Sequence, residues 1–117
     1  MTASTGDREV VEMNALDKFS LKDKNVLVTG GAQGIGLNYA MAAAGAGASV
    51  ALADLNGEKA RASAAWLREE YKVETLGIEA DVTDPGQVEH MCAVMAGQMG
   101  RIDVAFCNAG ISINVPA

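Results

Sequence analysis

The feature that most constrains the fold is a glycine-rich turn between a short apolar run and a long alanine-rich segment. The apolar run covers residues 25–29 (NVLVT), and the turn after it carries Gly30, Gly34 and Gly36. This order predicts a strand, a tight turn and a helix. Backbone N–H groups at a helix N-terminus are free to bind, and the helix dipole there favours negative charge. The turn is therefore a candidate phosphate site.

The rest of the chain continues the alternation of strand and helix. Continuous apolar runs without period-two alternation are typical of strands buried on both faces of a parallel sheet. We predict strands at 25–29, 49–53, 75–80 and 103–107, and helices at about 34–46, at about 58–71 and from the capping segment 83–85 onward. This alternation favours right-handed crossovers and, in a dinucleotide-binding topology, the strand order 3-2-1-4. The last strand is then an uncovered edge.

Composition argues against several classes of partner. The formal net charge is −6, so neither nucleic acid nor an anionic membrane surface is expected as a partner. No apolar run reaches the ~18 residues of a membrane span, and the acidic lead over 1–20 has the wrong composition for a secretion signal. We expect a cytosolic protein in which Cys92 and Cys107 are free and buried. We assign no metal ligand, and His90 is expected on a helix surface.

An acidic residue after the second predicted strand supports a nucleotide site. Asp54 follows the apolar run 49–53, which places it at the same carboxyl edge of the sheet as the glycine turn. A carboxylate there can accept hydrogen bonds from both hydroxyls of an adenosine ribose, each contributing about 1.5–3 kcal/mol. The alternatives are a solvated strand-end acid for Asp54 and a purely structural turn for the glycines.

Taken together, these motifs resemble the short-chain dehydrogenase/reductase family of NAD(P)-dependent oxidoreductases. The segments that carry the resemblance lie at strand ends and are Thr29-Gly30 followed after three residues by Gly34-Ile35-Gly36, then Asp81-Val82 and Asn108-Ala109-Gly110. The flanking segments 19–25 and 100–104 also look like that family, so the resemblance covers roughly residues 19–115. Cys107 is a departure, because the family more often has a second asparagine there.

The resemblance implies a Rossmann-type three-layer α/β/α fold, here a partial doubly wound parallel sheet truncated after strand 4. It implies a partial NAD(P)-binding domain over 23–117, which follows the polar lead that the composition predicts over 1–22. The glycines would lie beneath the cofactor pyrophosphate, the residues around Asp54 and Asp81 beside the adenosine, and the Asn-Ala-Gly turn beside a ribose. The implied cofactor-binding residues are Gly30, Gln33, Gly34, Ile35, Gly36, Asp54, Leu55, Asp81, Val82, Asn108, Ala109 and Gly110.

Charge at the ribose favours NAD over NADP. NADP carries a 2′-phosphate where the Asp54 carboxylate is expected, so the two groups would repel each other. Proteins that bind this phosphate usually place Arg or Lys beside it. Gln33 is not basic, and the nearest cations are Lys59 and Arg61 on the second helix, where we expect solvated side chains.

The residues that perform hydride transfer in this family are not found in the sequence. The family uses a Tyr-x-x-x-Lys pair on one helix face, in which the lysine lowers the tyrosine pKa, and a serine that orients the alcohol or ketone. Here Tyr39 is followed four residues later by Ala43, and Tyr71 by Thr75. We therefore assign no catalytic residue and expect the cofactor-binding half of a secondary alcohol dehydrogenase or ketone reductase. These 117 residues alone are expected to be inactive.

Two other functions fit parts of the pattern. One is a non-catalytic nucleotide-binding protein, a truncated product that self-associates through the uncovered last strand. The other is a nucleoside-binding transferase of the methyltransferase type, which also combines a glycine turn with an acid after the second strand. That class usually lacks both the Thr-Gly spacing and the Asn-Ala-Gly turn. The substrate and the oligomeric state, including a homo-oligomer, stay open.

Overall fold

A computed structural model describes residues 20–108 and shows a parallel sheet between two layers of helices. The strands are β1 (Asn25–Thr29), β2 (Ser49–Asp54), β3 (Thr75–Glu79) and β4 (Val104–Cys107), and the helices are α1 (Gly34–Gly45), α2 (Gly57–Tyr71) and α3 (Pro85–Met99). The strand order is β3-β2-β1-β4 and each adjacent pair is parallel. The predicted fold class and strand order are confirmed, with element ends within one or two residues of the prediction.

The interior positions of the strands are apolar because alternate side chains enter two separate cores. In β1, Val26 and Val28 pack in one core and Leu27 in the other. The first core lies beneath α1 and α2 and is rich in alanine, which lets the helices approach the sheet closely. The second lies beneath α3 and includes Met91 and Met95. Burial on both faces explains why the runs lack the alternation of a half-exposed strand.

Two of the three helices begin at side-chain caps. In α2, Asn56 Oδ1 accepts a hydrogen bond from the Lys59 N–H at 3.0 Å. In α3, Asp84 Oδ1 accepts one from the Gly86 N–H at 2.9 Å. Helix α1 differs, because Gln33 at its N-cap position has extended backbone angles and makes no capping hydrogen bond. The first N–H groups of α1 therefore have no side-chain acceptor from a capping residue.

The prediction that both cysteines are buried is wrong. Cys107 is exposed and Cys92 is only half-buried, and both are free thiols. Cys107 lies in β4, which pairs with β1 along one edge and with no other strand in residues 20–108. In sequence, an apolar edge strand cannot be distinguished from a buried central strand. In this structure the edge of β4 that faces away from β1 has no neighbouring strand within residues 20–108.

Some expectations concern residues outside the described range. The polar lead falls mostly on residues 1–19, and Ala109 and Gly110 of the Asn-Ala-Gly turn also lie outside it. His90 is exposed on α3, as predicted. Within residues 20–108, none of the helices has the length and the apolar character needed to cross a membrane.

Candidate functional site at the carboxyl ends of the strands

The parallel topology brings the predicted site residues to one edge of the sheet. All four strands run in the same direction, so the segments that follow them emerge together. A cleft of about 250 Å³ opens at this edge. Its lining comes from the ends of three strands and consists of Gly30, Ala53, Asp54, Leu55, Ala80, Asp81, Val82 and Thr83. Five of the twelve residues implied by the family resemblance thus share one cleft.

The glycine turn holds the start of α1 against the end of β1. A side chain at Gly36 would place its Cβ 2.0 Å from the Gly30 carbonyl oxygen, so only glycine fits there. Gly34 has a φ of 63°, in the left-handed region that favours glycine. The backbone N–H groups of residues 34–36 make no hydrogen bond within the described part of the chain. The first turn of α1 contains no acidic side chain, so this helix N-terminus can accept an anion.

Asp54 is fixed between the glycine turn and the start of α2. Its Oδ2 accepts a hydrogen bond from the Ala32 N–H at 3.1 Å, and its Oδ1 accepts one from the Asn56 N–H at 3.0 Å. An ionised carboxylate can accept about four hydrogen bonds. Asp54 therefore keeps acceptor capacity for hydroxyl groups placed in the cleft, and its orientation is set before any ligand arrives.

Helix α2 holds the glycine turn through two polar side chains. Ser63 Oγ donates to the Ala32 carbonyl at 2.8 Å. Lys59 Nζ donates to Gln33 Oε1 at 2.7 Å. The side chain of Lys59 is exposed, as the sequence predicts. Its hydrogen bond to Gln33 is not among the sequence predictions. The available signal was spacing, because Lys59 and Ser63 are four residues apart and therefore share one face of α2.

The segment after β3 forms the opposite wall of the cleft. Asp81 Oδ1 accepts hydrogen bonds from the Thr83 hydroxyl at 2.7 Å and from the Thr83 N–H at 2.9 Å. These bonds hold the pKa of Asp81 below its ordinary value of 3.8, so this carboxylate is ionised at neutral pH. Leu55, on the β2 side, is 69% exposed. The cleft thus combines an exposed apolar side chain with one carboxylate on each side, Asp54 and Asp81.

Asn108, the residue directly after β4, is tied to the end of β1. The Asn108 N–H donates to Thr29 Oγ1 at 2.9 Å, and Thr29 Oγ1 lies 3.4 Å from the Phe106 carbonyl, to which it donates. A second cleft of about 260 Å³ lies here, lined by Thr29, Val82, Val88, Met91 and Cys107. In this strand order the chain crosses from one side of β1 to the other, and ligands of open α/β sheets bind at such switch points.

Several dehydrogenases and reductases are similar to this chain in sequence and in fold. A sorbose reductase of Candida albicans is 41% identical over 99 residues, a match that covers 85% of this chain and 35% of the reductase. A short-chain type dehydrogenase/reductase from Mycobacterium marinum is similar in structure, with 42% identity and a TM-score of 0.77, over 87% of this chain and 39% of that one. An NADPH-dependent 3-quinuclidinone reductase from Rhodotorula rubra has 31% identity and a TM-score of 0.73, over 77% and 34%.

These matches cover most of this chain but only a minor part of each relative. The chain spans 35% of the sorbose reductase and 39% of the Mycobacterium marinum protein. The family model for short chain dehydrogenases matches residues 24–117, a range that includes the glycine turn, Asp54, the segment after β3 and the turn after β4. The chain therefore belongs to the short-chain dehydrogenase family.

Proposed function

We propose that this chain is the cofactor-binding part of an NAD(P)-dependent oxidoreductase that interconverts a secondary alcohol and a ketone. The observation that supports it most directly is the pairing of unpartnered N–H groups at residues 34–36 with a fixed carboxylate at Asp54. A dinucleotide needs both: donors for its pyrophosphate and an acceptor for its adenosine ribose. The nicotinamide of such a cofactor supplies the group that accepts or delivers hydride.

The glycine turn would hold the pyrophosphate. Gly34, Ile35 and Gly36 offer backbone donors that have no acceptor in residues 20–108, and the lack of a Cβ at Gly30 and Gly36 lets a ligand and the backbone approach closely. Desolvating these N–H groups without a partner would be costly. A bound phosphate removes that cost, and the dipole of α1 stabilises its charge.

The two sides of the cleft would hold the adenosine. Asp54 accepts from the ribose hydroxyls, and Gln33 lies beside the same ribose. Leu55 and Val82 border the adenine ring. Asp81 keeps an oxygen, Oδ2, that makes no hydrogen bond within the described residues and could accept from the exocyclic amine. The family resemblance would place Asn108, Ala109 and Gly110 beside the second ribose.

NAD is the preferred cofactor in this proposal. A 2′-phosphate on the adenosine ribose would face the Asp54 carboxylate, and the two negative charges would repel each other. Among the residues that line the adenosine cleft, none is basic. An NADPH-dependent relative shows that the family also contains enzymes of the other preference, so the choice depends on the residues around this ribose.

The chain by itself would bind the cofactor weakly and not turn over substrate. It has no Tyr-x-x-x-Lys pair, so it has no group to exchange a proton with the substrate oxygen. Membership of the dehydrogenase family argues against the methyltransferase and the non-catalytic alternatives. A cytosolic location and a homo-oligomeric state stay predictions for the whole protein.

Titration of the 117-residue chain with NAD and with S-adenosylmethionine tests the proposal. We expect chemical-shift changes with NAD at the N–H groups of residues 34–36 and at Leu55, Asp81 and Val82, and no saturable change with S-adenosylmethionine. Tighter binding of S-adenosylmethionine would contradict the proposal. An absorbance assay at 340 nm with secondary alcohols should show no NAD reduction above background.

A further inference from the structure

Lys59 is linked to Asp54, which lines the cleft, through a closed ring of hydrogen bonds and backbone segments. Asp54 Oδ1 accepts from the Asn56 N–H at 3.0 Å, and Asn56 Oδ1 accepts from the Lys59 N–H at 3.0 Å. Lys59 Nζ then reaches Gln33 Oε1 at 2.7 Å. Gln33 follows Ala32, whose N–H returns to Asp54 Oδ2 at 3.1 Å. One carboxylate and one ammonium are therefore held by the same two turns.

The ammonium in this ring has binding capacity left. It carries three N–H donors, and one of them goes to Gln33. Within residues 20–108 the ion pair that forms is Arg101 with Asp103, so the charge of Lys59 is not neutralised by a carboxylate there. Its side chain is exposed, and a ligand can reach it without movement of the fold.

Gln33 adds two further donors to the same rim. An ammonium can only donate, so the amide oxygen of Gln33 must face Lys59. The amide nitrogen then has two N–H donors, and neither has an acceptor in the part of the chain that the structure describes. Ribose hydroxyls are served by the acceptor at Asp54. The remaining N–H donors of Lys59 and Gln33 suit a negatively charged group with several acceptor oxygens.

We propose that Lys59 is a specificity-determining residue that receives a 2′-phosphate on the adenosine ribose. Its ammonium and the amide of Gln33 offset the repulsion from Asp54, so that NAD is preferred but the phosphorylated cofactor is still bound. This inference rests on the proposed function, because it concerns the same ribose. The attraction acts at an exposed rim and is partly screened, so about a tenfold effect on the dissociation constant is expected.

The test uses two probes that differ only in the 2′-phosphate, adenosine 5′-monophosphate and adenosine 2′,5′-bisphosphate. Both are titrated against the full chain by calorimetry or NMR. Lys59→Met keeps the length of the side chain and removes its charge. Lys72→Met is the matched control, since it removes the same charge from the C-cap residue, directly after the end of the same helix, roughly 20 Å away at 1.5 Å per residue. Lys59→Arg keeps the charge.

We expect Lys59→Met to weaken bisphosphate binding by about tenfold while monophosphate binding stays within about twofold. Lys72→Met should leave the ratio of the two affinities as in the wild type, and Lys59→Arg should retain most bisphosphate binding. Equal ratios in Lys59→Met and Lys72→Met would overturn the inference and leave the proposed function intact. If the wild-type chain bound neither probe, the proposed function itself would fail.

Discussion

The two ends of the sheet are built from similar polar residues and use them in opposite ways. At the amino ends, the Asn25 N–H donates to Asp103 Oδ2 at 2.8 Å. Asn25 Nδ2 donates to the carbonyls of Met99 at 3.0 Å and of Arg101 at 2.9 Å. Arg101 in turn pairs with Asp103 at 2.8 Å. The polar groups there satisfy one another and tie β1 to the end of α3 and the start of β4.

At the carboxyl ends the polar groups are oriented but not satisfied. The N–H groups of residues 34–36 have no acceptor within the described range, and the carboxylate of Asp54 and the ammonium of Lys59 keep unused capacity. A network in which every polar group has a partner contributes to stability, because removing one member leaves a buried donor or acceptor without a hydrogen bond. Polar groups that keep unused donors or acceptors can bind a ligand instead. Substitutions at the two ends should therefore separate stability from affinity.

The largest effect is expected for Gly36→Ala at the carboxyl end. The new Cβ would lie 2.0 Å from the Gly30 carbonyl oxygen, which forces α1 away from the turn and costs about 3 kcal/mol or more in the free energy of unfolding. Nucleotide binding should be lost with it. Gly97→Ala is the control, because a Cβ there meets nothing within 4 Å. That change should stabilise α3 by up to about 1 kcal/mol. Urea unfolding measures both, and equal stabilities would refute the packing argument.

Asn25→Ala should separate stability from affinity at the amino end. Asn25 is 8% exposed, and its loss leaves two carbonyls without their donor, so the free energy of unfolding should fall by about 2–3 kcal/mol. The affinity for adenosine 5′-monophosphate should not change under conditions where the variant is folded. Gln98→Ala, at an exposed position of α3, provides a control near wild-type stability. A parallel loss of nucleotide affinity would show that the two ends are coupled.

Asp54→Asn should give the converse result. One of the two backbone donors keeps an acceptor, so the loss of stability should be about 1 kcal/mol. Affinity for adenosine 5′-monophosphate should fall about tenfold, because a charged acceptor for the ribose hydroxyls is lost. Affinity for adenosine 2′,5′-bisphosphate should rise relative to it. Isothermal calorimetry on both probes checks this, and an unchanged ratio would remove Asp54 from the ribose site.

The smallest effect is a dependence of stability on acid pH. The Arg101 side chain, and then the Asn25 N–H, hold the pKa of Asp103 below its ordinary value of 3.8 in the folded protein. This contribution is therefore complete above pH 3.8 and is lost as the pH falls through the lower folded-state pKa. The urea midpoint measured between pH 2 and 5 should fall less steeply for Asp103→Asn than for the wild type. Equal slopes would show that Asp103 does not titrate with folding.

The sequence predicts this fold well where burial is symmetrical. The apolar runs in β1 and β2 enter two cores, so their composition alone indicates buried parallel strands. The cap at Asp84 and Pro85 was equally readable, because capping is local. The prediction that Cys107 is buried came from the apolar run alone, whereas its exposure follows from the edge position of β4, which the predicted strand order already implied.

The candidate site shows the same division between local and distant information. The turn glycines and Asp54 follow directly from strand ends, which the topology brings to one edge. The contact between Lys59 and Gln33 joins residues on different elements, 26 positions apart. Lys59 on its own looks like any solvated helix cation. Only the three-dimensional placement of the α2 N-terminus beside the glycine turn distinguishes it from Arg61.

The ring of hydrogen bonds that joins Asp54 and Lys59 has a consequence for combining substitutions. Changes at residues in one hydrogen-bonded network are generally not additive, whereas distant changes are. Asp54 and Lys59 are joined through Asn56 on one side and through the Ala32–Gln33 turn on the other. A double-mutant cycle of Asp54→Asn and Lys59→Met should therefore show an interaction energy. If the pair sets the cofactor preference as proposed, a redesign has to treat it as one unit, because the best residue at either position depends on the residue at the other.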